Sequence, residues 1–308
     1  MANKDATEKL LEDYNDVFAD IANALLFKGQ QIIQENDLTP ERPRSIYKAD
    51  GKFHEQERDV AKYWRNSTIR IALLGFENQT ADDADMPLRV ISYDGAGYRA
   101  QLVSDKANAE AKLPKERYPV VTLVLYFGYK NHWKKPLNLL NCIKVPEELK
   151  PFVNDYRINL FEIAWLSDEE VKMFQSDFRI VADYFVQMRK NRNYKPSQDI
   201  IKHVHELLQL MSVMTNDSRF EESCNKVERS GSNMCKVLDA IENRGIEKGI
   251  EKGIEKARLT TTLNTLTRYI RRHLPITTQV LEDIAEDNEL TVEKVRSIAK
   301  ENGISLSC

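Results

Sequence analysis

Asp59-Val-Ala-Lys-Tyr-Trp-Arg-Asn-Ser-Thr-Ile-Arg-Ile-Ala-Leu-Leu-Gly-Phe-Glu-Asn-Gln79 is the stretch from which the fold can be read. Two strand-like runs flank a polar turn at Arg65–Thr68. The first carries the aromatics Tyr63 and Trp64, and the second is apolar from Ile69 to Phe76 apart from Arg70 and Gly75. Folding this ribbon about Ser67–Thr68 brings Asp59 across from the Glu77 end, within a residue or two. Side chains alternate along a strand, so Glu77 and Gln79 share a face and Asn78 points away. A carboxylate thus faces a carboxylate and an amide. An end of a hairpin with that chemistry is a candidate metal site.

Such a set of hard oxygen donors suits Mg²⁺ or Mn²⁺, which keeps several waters and completes its shell with phosphate oxygens. In many nucleases a lysine two residues after the glutamate orients the attacking water; here that position is Gln79.

The whole chain sets the limits around this centre. It has 308 residues, a net charge of −3 and 30% charged residues, with mean hydropathy −0.53. Bulk charge therefore announces no nucleic-acid partner, and any basic surface is local. No apolar run approaches the ~20 residues of a membrane span. The polar start has no signal-peptide core, so a cytoplasmic protein is expected. Cys142, Cys224, Cys235 and Cys308 show neither a disulfide framework nor zinc spacing.

Before the hairpin, Glu12–Phe27 has helical periodicity. Tyr14, Phe18, Ile21 and Leu25 form its apolar face, beside a polar stripe of Asp13, Asp16, Asp20 and Asn23. A solvated face is the ordinary reading of that stripe; the functional one has an aspartate reaching the hairpin. Residues 28–58 read as a loop-rich connection with one short strand at most.

After the hairpin, Met86–Val103 reads as a helix that Gly95 and Gly97 weaken and would end early. Arg89 and Tyr93 are i,i+4 neighbours on it. Pro119–Gly128 and Arg157–Trp165 read as buried strands. The whole is an α/β sheet with helices on its faces. From Asp168 the chain turns helical, and His203 and His205 are expected as solvated helix residues. The repeats beginning at Gly245, Gly249 and Gly253, each Gly-Ile-Glu-Lys, mark a bendable arm within a helix over 234–274. Thr278–Ser305 reads as a pair of short helices.

Several stretches together resemble the bacterial recombination-promoting nuclease (Rpn)/putative transposase family of the PD-(D/E)XK superfamily. Asp59…Glu77-Asn-Gln79 resembles its D…(E/D)xK core in an ExQ variant. The more specific likeness lies in Phe18-Ala-Asp20, Tyr47-Lys-Ala-Asp-Gly51, Leu74-Gly-Phe-Glu-Asn-Gln79, Met86-Pro-Leu-Arg89, Leu123-Val-Leu-Tyr-Phe-Gly128 and the tail repeats.

The resemblance implies a restriction-endonuclease-like αβββαβ core followed by an all-helical C-terminal region. It also implies Mg²⁺- or Mn²⁺-dependent DNA cleavage, in recombination or in defence against mobile DNA. Asp59 and Glu77 become metal ligands, Gln79 replaces the lysine, and Asp20 is the acidic residue of the first helix, with Asp16 as its fallback. Lys62, Arg65, Arg70, Arg89 and Lys130 are the expected phosphate contacts. The segments expected are 1–190 (nuclease-like), 191–233 (helical connection), 234–274 (repeat helix) and 275–308 (helical pair), with dimerisation through the C-terminal helices. The competing readings are an inactive nuclease-fold scaffold that self-associates and a DNA-binding regulator that uses the last helical pair.

Overall fold

The computed structural model describes residues 11–41, 44–49, 52–57, 59–66, 69–110, 117–224, 227–228 and 231–306. The chain forms two compact units, Met1–Leu238 and Asp239–Cys308.

The first unit begins with helix α1 (Asn15–Phe27) and the short strand β1 (Leu38–Pro40). A hairpin of β2 (Arg44–Ala49) and β3 (Lys52–Glu57) follows, where one short strand at most was expected. Its strands, Arg-Ser-Ile-Tyr-Lys-Ala and Lys-Phe-His-Glu-Gln-Glu, mix apolar, polar and charged residues without the steady alternation by which a strand is read. Next come β4 (Val60–Asn66) and β5 (Ile69–Gln79), which pair antiparallel with Val60 opposite Phe76. The ribbon is the one expected, with a register shift at Trp64/Arg65. Helix α2 (Met86–Glu110) leads to β6 (Val120–Tyr126) and β7 (Asn159–Glu162). The five-stranded sheet has the order β1-β4-β5-β6-β7. β1, β4 and β5 pair antiparallel, whereas β5, β6 and β7 are parallel.

Helices α1 and α2 cover opposite faces of the sheet. α1 buries Val17, Phe18 and Ile21 completely, each worth about 1.5–3 kcal/mol of burial. Phe18 stacks on Phe76 with ring centroids 4.2 Å apart. On the other face α2 packs Met86 and Val90 against Val124 and Ile158. Asp94 of α2 accepts a 2.6 Å hydrogen bond from Thr122.

α2 does not end at its glycines. A Cβ at Gly97 would stand 3.1 Å from Val120 and 3.2 Å from Leu73. The missing side chain lets the helix lie close on the sheet, and that contact outweighs glycine's weak helix propensity. The second buried strand expected is instead a short edge strand with no buried residue: β7 lies at the end of the sheet and stops at Glu162, and residues 163–165 form a 3-10 turn. Helices α3 (Asp168–Val171), α4 (Phe178–Asn191), α5 (Val204–Thr215) and α6 (Arg219–Ser223) complete the unit. His203 is not solvated: its ring stacks on Tyr14 at 3.7 Å.

Helix α7 (Met234–Arg271) contains the division between the units and the three repeats. In the second unit α8 (Thr278–Asp287) and α9 (Val292–Glu301) start on side-chain caps, Thr277 accepting from the Val280 N–H and Thr291 from the Lys294 N–H. Leu281, Ile284, Val295 and Ala299 form its core with Leu266 and Ile276.

Candidate metal and nucleic-acid site

Asp59 immediately precedes β4, whose first residue, Val60, pairs with Phe76, so it stands at the Glu77 end of the ribbon. The Asp59 Oδ2 accepts the backbone N–H of Asn78 at 2.6 Å, which fixes that carboxylate beside the next strand. Glu77 is 1% exposed. The Gln79 amide, two residues on, lies 3.4 Å from Glu77 Oε1. Asp59, Glu77 and Gln79 are thus brought together.

α2 covers this face and supplies a cation. Its first turn sets Arg89 over the end of β5, where the guanidinium donates to Glu77 Oε1. It also donates to Asp83 Oδ2 at 3.1 Å and lies 3.4 Å from the Tyr93 hydroxyl. Burial opposes the Arg89 charge, but Glu77 and Tyr93 outweigh it and hold the guanidinium more firmly protonated than usual. Burial, then the charge of Glu77, pushes the Tyr93 hydroxyl up; Asp59 adds to the effect. Tyr93 therefore stays protonated among the carboxylates.

Asn78 points the other way. Its amide donates to Glu12 Oε2 at 2.8 Å, and Glu12 is fully buried. Asn78 thus links the two faces: its backbone N–H holds Asp59 and its side chain holds Glu12. Sequence reasoning gave neither residue a role. The available signal was the acidic Glu12 at the head of an apolar helical stripe.

Asp20 and Asp16 do not reach the Glu77 face, because α1 packs on the opposite side. The Asp20 carboxylate accepts backbone N–H bonds from Gln175 at 2.9 Å and Ser176 at 2.7 Å. Burial pushes its carboxyl up, against the pull of those bonds. Asp16 pairs with Lys202 at 2.7 Å and His203 at 3.3 Å. The first helix therefore supplies no aspartate to the hairpin centre.

Among the expected phosphate contacts, Lys62 is turned inward and only 2% exposed. Its Nζ donates to the Asp13 carbonyl at 2.6 Å and sits over the Phe18 ring. Burial lowers its pKa, opposed by Asp13. Lys62 falls on the α1 face of β4, where the sheet leaves no route to solvent. Arg65 packs over Tyr63 at the turn end of the hairpin, about 20 Å along the strand from Asp59. It does not serve the same centre. The Arg70 side chain lies outside the described residues. Arg89 is in the centre, and Lys130 is exposed beyond β6.

Lys130 borders a cleft of about 470 Å³ at the carboxyl ends of β5 and β6, together with Asp82, Tyr126, His132 and Lys134. Gln79 pairs with Tyr126 and Tyr126 with Glu162. A row of polar side chains therefore runs from the carboxylates across three parallel strands. Crevices at such strand ends are where open α/β sheets bind ligands.

Residues 71–219 match the model of a family described as putative transposase, YhgA-like. That segment, just under half of the chain, is similar to the family. This YhgA-like group is the recombination-promoting nuclease, PD-(D/E)XK-type family of the sequence reading. The match includes Glu77, Gln79, Arg89 and the β6 strand, and it begins after Asp59. No curated protein and no solved structure matches the chain.

The donor set is two carboxylates and a carboxamide, hard oxygens of the kind that a small divalent cation takes while keeping much of its water. Among the described residues no three His, Cys, Asp or Glu side chains form a group that could hold a metal ion. A cation placed here would have Asp59 and Glu77 as its carboxylate donors. Arg89 would have to leave Glu77 as a cation entered.

Proposed function

We propose that the protein is a divalent-metal-dependent DNA endonuclease, hydrolysing phosphodiester bonds in recombination or in defence against mobile DNA. The observation that carries the reading is the Asp59 carboxylate held on the Asn78 N–H at the Glu77 end of the ribbon, with the Gln79 amide on Glu77, in a chain with a YhgA-like segment. α1, β1, β4, β5, α2 and β6 are read as the αβββαβ core, with β2–β3 inserted and β7 added.

Asp59 and Glu77 would hold Mg²⁺ or Mn²⁺. When bound, the ion supplies an acidified water and positive charge on the scissile phosphate. Gln79 orients the water through its amide but, being uncharged, takes no proton. Arg89, once released from Glu77, pairs with a phosphate oxygen. Tyr93 donates a hydrogen bond from its protonated hydroxyl. Lys130 and Lys134 contribute salt-sensitive backbone contacts. Exposed Ile246, Ile250 and Ile254 on α7 (54%, 57% and 47% exposed) support self-association of two copies through that helix.

The Arg89–Glu77 ion pair favours a second reading, an inactive scaffold whose centre is closed by its own cation. Supercoiled plasmid incubated with the protein and Mg²⁺, Mn²⁺ or EDTA separates the two. Metal-dependent nicking that disappears with Glu77→Ala is expected. No nicking in either metal would leave the scaffold.

A further inference from the structure

Beyond β7 the row of polar groups opens into a second cleft, of about 490 Å³, formed by Tyr129, Lys130, Trp165, Met188, Arg189 and Arg192. It shares Tyr129 and Lys130 with the cleft at the ends of β5 and β6. The two form one path leading away from Gln79. We propose that this second cleft takes an unpaired base of a single DNA strand whose backbone follows the strand ends. The inference rests on the nuclease reading and specifies the state of its substrate.

The walls are aromatic and apolar, and the rim is cationic. Trp165 is pinned: its Nε1 donates to the Gly128 carbonyl at 3.0 Å. Its neighbour Arg189 is pinned as well, the Nε donating to the Ala164 carbonyl at 2.7 Å while the guanidinium carbon sits 4.9 Å from the Trp165 ring centroid. A flat heteroaromatic ring already lies on that indole. His132, its side chain 58% exposed, stacks there with centroids 3.4 Å apart. A nucleobase offers the same kind of face and would take the place of His132 on the indole, and stacking on aromatic and guanidinium planes is how proteins hold unpaired bases.

The charges around this platform are available. Lys190 is spent on Asp168. Among the described residues, Lys130 and Arg192 carry no such pairing, and both are exposed. Arg192 ends α4 in a left-handed conformation, φ 51°. Lys130 lies on the path between the two clefts, where a strand entering from Gln79 would pass its phosphates. Base-paired nucleotides present only their edges, because both faces are stacked. A cleft that offers planes therefore selects a strand with an unstacked base.

The test is binding in EDTA, so that cleavage plays no part. A labelled short oligo(dT), an abasic strand of equal length and a duplex are titrated by fluorescence anisotropy. Quenching of Trp165 is followed in parallel and checked against Trp165→Phe. The wild type should bind oligo(dT) about tenfold more tightly than the abasic strand. Tyr129→Leu and Arg192→Ala should each lose most of that margin yet keep their melting temperatures, with duplex binding changed by less than about threefold.

Equal binding of abasic and oligo(dT) strands would overturn the inference, as would variants that bind oligo(dT) like the wild type. Base-dependent binding by a protein that never nicks DNA would sink the nuclease reading alone. Metal-dependent nicking with base-independent binding would sink only this inference.

Discussion

Arg89 and Glu77 set the charge of the candidate centre. Glu77 is almost wholly buried, and a buried carboxylate needs a cation close by; α2 provides one from its first turn. Arg89→Ala should therefore cost about 1–3 kcal/mol in EDTA, and Mn²⁺ should raise its melting temperature more than that of the wild type. Equal metal-induced shifts in the two proteins would argue against a shared cation position. Asp16 gives a pH-dependent case away from the centre. Burial pushes its carboxyl up, but hydrogen bonds and charge from Lys202 and His203 outweigh that and hold it below the ordinary 3.8. Its stabilisation is then present above 3.8 and is lost as pH falls through the lower folded value. Asp16→Asn should be less stable than the wild type near neutrality, by less than about 1 kcal/mol. The difference should fade as pH falls through the lowered folded value, and a gap that persists in stronger acid would contradict the assignment. Single residues were the least legible part of the sequence. Helical spacing names a stripe of aspartates but not the direction in which it faces, so Asp20 was assigned to the wrong side of the sheet. Lys62 reads as a surface charge until α1 is seen to cover it.

At the scale of elements, the β4–β5 ribbon was legible because two strand-like runs flank a polar turn, which brings Asp59 to the Glu77 end within a residue or two; the register itself, Val60 opposite Phe76, depends on the turn type and was not legible. β6 was legible as an apolar run. The β2–β3 hairpin was not, because its strands mix apolar, polar and charged residues without steady alternation. α2 was misjudged at its C-terminal half for a tertiary reason: Gly97 is a contact residue with Val120 and Leu73. Gly97→Leu should push helix and sheet apart and cost about 1–3 kcal/mol by overpacking, read as a lower urea midpoint. An unchanged midpoint would mean that the helix does not bear on the sheet there. Gly128 makes a closer approach, since a Cβ there would overlap the Tyr126 hydroxyl. Gly128→Ala should displace that ring and disturb the Trp165 bond to the Gly128 carbonyl, visible as a shift in tryptophan emission. Unshifted emission would contradict that coupling.

Over the whole molecule, an α/β unit, Met1–Leu238, is followed along the chain by a helical unit, Asp239–Cys308, and the helices that begin at Asp168 start within the first. The division falls inside α7, where periodicity alone marks no boundary. The repeats leave Ile246, Ile250 and Ile254 exposed on that helix, so their joint replacement by serine should convert a dimer into a monomer in sedimentation. The same mass for both proteins would remove self-association through α7 from the account. Among the described residues no helix is long and apolar enough to cross a membrane. The most direct measurement for the whole reading is single-turnover nicking of supercoiled plasmid in Mn²⁺ by Glu77→Gln beside the wild type, with thermal unfolding of both recorded in EDTA. The substitution keeps the size of the side chain and removes its charge. The account predicts that nicking is abolished in a protein that still unfolds cooperatively. Undiminished nicking by a folded Glu77→Gln protein would contradict it.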